Sequence, residues 1–114
     1  MSARDASRIA ALNDAMRRAG PQGPGGNRWM MTSGVMALGA AAAVAASQAV
    51  MRFDGFTPDN DPYGEHDFGS LQIAGERLFW KIDYYDLELA YGSPDAANPE
   101  VTTRVLTILL ADEY

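Results

Sequence analysis

Asp59, Asp61, Glu65 and Asp67 share the ten-residue run 59–68 with His66, the only histidine of the chain. Pro62 and Gly64 interrupt the run as turn residues do. Four carboxylates and an imidazole this close together could bind a hard cation, work as a general base, or hold a hydrogen-bonded corner. For the cation, Asp59, Asp61 and Gly64 match the first, third and sixth positions of a calcium-loop template. Tyr63 and Ser70 then stand where its oxygen-rich fifth position and its closing carboxylate belong, so that template fails. A looser oxygen site from Asp59, Asp61 and Glu65, with His66, stays open. One histidine and no cysteine disfavour zinc.

For catalysis, His66 would be the general base, with Glu65 and Asp67 as its carboxylate neighbours. Adjacent residues of an extended segment point to opposite faces, so neighbours in sequence need not be partners in space. No nucleophile motif, phosphate-binding glycine loop or paired-histidine signature accompanies the run. The third possibility requires no chemistry beyond capping. Asp and Asn side chains cap turns, Pro62 fixes one dihedral, His66 donates to a backbone carbonyl and Asp67 accepts from the next turn.

The elements that position the run can be read from periodicity. Ser2 can cap a first helix, with Asp5 three residues on and Ile9, Leu12 and Met16 as its apolar stripe. Gly20-Pro21 ends it, and Gly23-Pro24-Gly25-Gly26 forms a linker, so that 1–26 is an N-terminal helix with its connection and 27–114 the core of a single domain. Residues 28–33 read as a short strand. The alanine-rich stretch reads as a second helix with Val44 and Met51 on its core face, stopping near Arg52 or Phe53.

Beyond the run, Phe68–Ile73 and Leu78–Tyr85 read as a hairpin joined at 74–77. Leu78, Trp80, Ile82 and Tyr84 share one face of its second strand; Phe79, Lys81, Asp83 and Tyr85 share the other. Leu87–Tyr91 offers a short third strand. Asn98, Pro99 and Glu100 are helix-start signals, and Val101, Val105, Ile108 and Leu109 follow on one helical face, so a helix is expected over about 99–112. The fold class expected is α+β, a small antiparallel sheet of three to four strands with three helices packed on it.

A chain of 114 residues with 47% hydrophobic content is long enough for one such core. It has no cysteine, which fits a reducing cytoplasm, the expected location. Residues 34–51 carry no charge, yet their alanines, glycines, Ser47 and Gln48 make them too weakly apolar for a membrane span. The net charge of −6 is unevenly placed. Residues 1–52 carry six arginines against two aspartates; residues 53–114 carry three cations against thirteen acids. That acidic half disfavours direct contact with nucleic acid and favours a basic protein partner.

The run Asn60-Asp61-Pro62-Tyr63-Gly64-Glu65-His66-Asp67-Phe68-Gly69, followed by Phe79-Trp80-Lys81-Ile82-Asp83-Tyr84-Tyr85-Asp86, Tyr91-Gly92-Ser93-Pro94-Asp95, Thr103-Arg104-Val105-Leu106-Thr107-Ile108 and Glu113-Tyr114, resembles a bacterial family of unknown function. The likeness extends from about residue 9, with Leu12-Asn13-Asp14 and Met31-Thr32-Ser33-Gly34-Val35 as weaker early matches. The family is common on plasmids and other mobile elements of proteobacteria and brings no established activity. The resemblance, with the charge, implies a non-catalytic, acidic protein-binding accessory factor of mobile elements. One version is anti-defence, blocking a CRISPR or restriction complex at its basic nucleic-acid groove. Its binding residues would be Asp59, Asp61, Tyr63, Glu65, His66, Lys81, Asp83 and Tyr85, with no cofactor. The alternative is a small enzyme or metal-dependent hydrolase built on His66 and its carboxylate neighbours.

Overall fold

In the computed structural model, which describes residues 3–114, four strands form one sheet in the order β1-β4-β3-β2. In chain order the elements are α1 (Ala3–Ala19), β1 (Arg28–Met31), α2 (Ser33–Met36), α3 (Ala40–Met51), β2 (Phe68–Ile73), β3 (Glu76–Tyr85) and β4 (Thr103–Leu110). The expected cap at Ser2 lies outside the described residues. The fold is α+β, but the sheet is mixed rather than antiparallel: β1 runs parallel to β4, while β3 pairs antiparallel with β4 and with β2.

The β2–β3 hairpin forms where alternation predicts it, closed by Ala74 and Gly75, both at positive φ. Leu78, Trp80 and Ile82 are buried on the face that meets the helices; Phe79, Lys81, Asp83 and Tyr85 lie on the opposite face. Trp80 sits at the centre of the core, fully buried, with Phe53 and Phe56 edge-on to its ring.

The helix expected over 99–112 is instead a strand. Asn98 does cap a turn, its side chain accepting from the Glu100 amide at 2.9 Å, but only the single 3-10 turn Pro99–Val101 follows. The β-branched Thr102, Thr103, Val105, Thr107 and Ile108 then favour extension. As β4, this segment pairs on both edges and is buried on both faces, which produces the continuous apolar run that also suits a helix.

Leu87–Tyr91 is not a strand either. Leu89 at φ 59 turns the chain around Asp86, whose side chain accepts from the Ala90 amide, and only an isolated bridge between Tyr85 and Gly92 remains.

The alanine-rich segment is two helices. Gly39, at φ 104, adopts a conformation an L-residue resists and divides α2 from α3. Three helices are thus present among the described residues, though not the three expected. The buried face of α3 is Ala42, Ala46 and Val50, while Val44 is 57% exposed. Small side chains at this spacing let the helix approach the sheet closely, so the larger Val44 falls outside. No described helix is long and apolar enough to cross a membrane.

Candidate functional site

Helix α1 carries an unusual buried stripe. Ile9 and Met16 are joined there by Asn13 and Arg17, both almost fully buried. Buried polar groups need partners, and these two find theirs on distant segments. Arg17 Nη1 donates to the carbonyls of Val50 and Phe53, capping the end of α3, and its Nη2 pairs with Asp14 at 2.8 Å. The guanidinium also lies over the rings of Phe56 and Trp80. Asn13 Nδ2 donates to the Glu65 carbonyl and to Tyr84 Oη, while Asn13 Oδ1 accepts from Arg104 Nε at 2.7 Å.

This polar seam reaches the acidic run at two points. Tyr84 Oη donates to Glu65 Oε1 at 2.9 Å. Burial pushes the phenol far above its ordinary value, which keeps it a neutral donor. The second point is His66. Its Nδ1 meets both oxygens of Asp14 at 3.0 and 3.1 Å, and its Nε2 faces Asp61 Oδ2 at 3.6 Å. The imidazole stacks on Phe56 with centroids 4.0 Å apart and planes 1° from parallel. Asp61 Oδ1 also accepts from the His66 backbone amide, supporting a residue held at φ 56.

The expected corner therefore exists, built differently from expectation. His66 meets a carboxylate of α1, 52 positions earlier, instead of a backbone carbonyl. A histidine hydrogen-bonded to an aspartate is the arrangement that orients a general base. Here the second nitrogen also addresses a carboxylate and one ring face is covered, so the imidazole is anchored on three sides.

Asp67 contributes its backbone, accepting from the Ile82 amide at 2.8 Å and starting the hairpin. Its carboxyl is held above the ordinary value, chiefly by burial and then by the charge of Glu65.

The residues expected to bind fall into separate groups. Asp61, Glu65 and His66 converge at the corner facing α1. Tyr63 stands at its rim, 82% exposed, beside a shallow depression of about 390 Å³ that Phe56, Pro62 and His66 also line. Asp59 is exposed on the same loop. Lys81 and Asp83 pair with each other at 3.1 Å on the far side of the sheet, the face on which Tyr85 also lies, so these three do not join the His66 cluster.

Among the described residues, no three metal-ligating side chains come together to hold an ion. Glu65 and Asp61 are turned to Tyr84 and His66.

Asn13, Asp14, Arg17 and Arg104 were not expected in the cluster. Asn13, Asp14 and Arg104 fall within stretches that carry the family likeness, and helical spacing singles out Asn13 and Arg17, since positions 9, 13, 16 and 17 share a helical face and two of the four are polar.

No curated protein and no solved structure matches the chain. The family described as "Protein of unknown function (DUF3768)" matches residues 31–113, which takes in β2, β3 and β4, the whole 59–68 run and Arg104, but only the last residue of β1 and none of Asn13, Asp14 and Arg17. The chain belongs to that family of unknown function.

Proposed function

We propose that this protein acts without catalysis, as an acidic protein-binding accessory factor of mobile genetic elements. In the specific form of this reading it is an anti-defence inhibitor that occupies the basic nucleic-acid groove of a host CRISPR or restriction complex. The observation that carries the reading is the division of labour within the 59–68 run. His66, Asp61 and Glu65 are consumed by contacts that hold the corner, while Tyr63 and Asp59 project from it into solvent.

An exposed tyrosine on a braced loop is the type of side chain that dominates protein interfaces. The surrounding acids supply long-range attraction for a basic surface and would make the encounter salt-dependent. The placement on mobile DNA rests on the family resemblance alone.

The test is affinity capture from a host lysate with the wild-type chain and with a Tyr63→Ala/Asp59→Asn variant. A basic nucleic-acid-binding complex retained by the wild type, weakened by salt and lost from a variant with an unchanged melt, is the expected result. Eluates that do not depend on these two residues would contradict the reading.

A further inference from the structure

Arg104 is 2% exposed, yet no carboxylate lies within ion-pair distance of its guanidinium among the described residues. Its direct partners are neutral, namely Asn13 Oδ1, the Ala96 carbonyl and the face of the Tyr84 ring, and the charge of Glu65 acts on it only from beyond ion-pair distance. A buried cation normally has an anion beside it, because desolvating an unpaired charge is costly. Arg104 also lines a cavity of about 260 Å³ between α1, the 25–27 loop and the start of β4. Leu12 and Leu87 give that cavity apolar walls, Asn27 and Thr103 add polar ones, and no acidic residue lines it.

We propose that this cavity binds a small free carboxylic acid, with Arg104 as the residue that receives the carboxylate. The planar guanidinium fork matches a carboxylate in shape and charge. A single cation suits a monoanion; a phosphate dianion would ask for a second positive group that the cavity does not have. The volume lies just under the range of roughly 300 to 1,000 Å³ for sites of drug-sized ligands, so the acid has a short chain. Leu12 and Leu87 pack against that chain. The site is distinct from the rim at Tyr63 and does not depend on the protein-binding reading.

Titration of the isotope-labelled full chain with 3-methylbutanoate tests this, following the Arg104 Nε–H resonance and the amides of Asn27 and Thr103. A saturable shift is expected, with no comparable shift from the neutral isostere 3-methylbutanamide. Leu87 is 62% exposed at the mouth, so Leu87→Asp leaves the fold intact while placing a negative charge there. It should weaken 3-methylbutanoate binding by about tenfold or more. No saturable shift, equal shifts from the amide, or an unchanged affinity in Leu87→Asp would each overturn the proposal. A tighter response to inorganic phosphate than to the carboxylate would overturn the ligand class.

Discussion

Asn13 Oδ1 accepts a hydrogen bond from Arg104 Nε at 2.7 Å across 91 positions of sequence, joining the first helix to the strand at the centre of the sheet. The same amide reaches Tyr84 and the Glu65 carbonyl through Nδ2, so one side chain links α1, β3, β4 and the acidic run. No apolar residue of that size could replace it without leaving the Nε–H of Arg104 and the Glu65 carbonyl without the partner they have here.

Asn13→Ala is accordingly expected to lower the unfolding free energy by about 2 to 4 kcal/mol. Asn13→Asp should recover only part of the loss. It keeps an acceptor for Arg104 but offers no donor to Tyr84 or to Glu65. Urea unfolding of the three proteins checks the order.

Gly69 is required by the indole of Trp80. A Cβ at this position would lie 2.3 Å from Trp80 Nε1 and 2.9 Å from the ring of Phe53. Gly69→Ala should therefore cost about 1 to 3 kcal/mol through forced repacking and alter the near-ultraviolet dichroism of the tryptophan. Gly26→Ala is the control, because a Cβ there meets nothing within 4 Å. Its melt should stay close to that of the wild type.

Asp67 gives a pH signature. Its folded pKa is raised above 3.8, mainly by burial and then by Glu65. The unfolded chain thus ionises more readily than the native one, and the native state is penalised once the carboxyl is charged. The penalty is absent below about pH 3.8 and develops as pH rises through the folded value. Asp67→Asn removes it, so the variant should be more stable than the wild type at pH 7, by less than about 1 kcal/mol for a group still in contact with solvent. The difference should shrink towards zero at pH 3.5. Denaturant midpoints at the two pH values measure both numbers.

The hairpin was legible because Leu78, Trp80, Ile82 and Tyr84 alternate strictly with polar or partly exposed neighbours, and one face of β3 is buried. β4 was not, because a strand buried on both faces loses that alternation, and the cap at Asn98 serves a 3-10 turn as well as it would a helix. The identity of the corner was visible in Asp61, Pro62, Gly64 and His66, all of which act there. Its other half was hidden: Asp14 and Arg17 look like ordinary charges on a solvated helix until the end of α3, Phe56, Trp80 and His66 cover that face. Val44 misled for the opposite reason, since the alanines around it make the closer contact.

The contact between His66 and Asp14 makes the acidic run a clamp on the first helix. A double-mutant cycle of His66→Ala and Asp14→Ala, read by equilibrium unfolding at neutral pH, tests it most directly. A coupling energy of about 1 kcal/mol or more is expected, with each single variant clearly destabilised. Two single variants that melt like the wild type, or effects that add within about 0.5 kcal/mol, would contradict it.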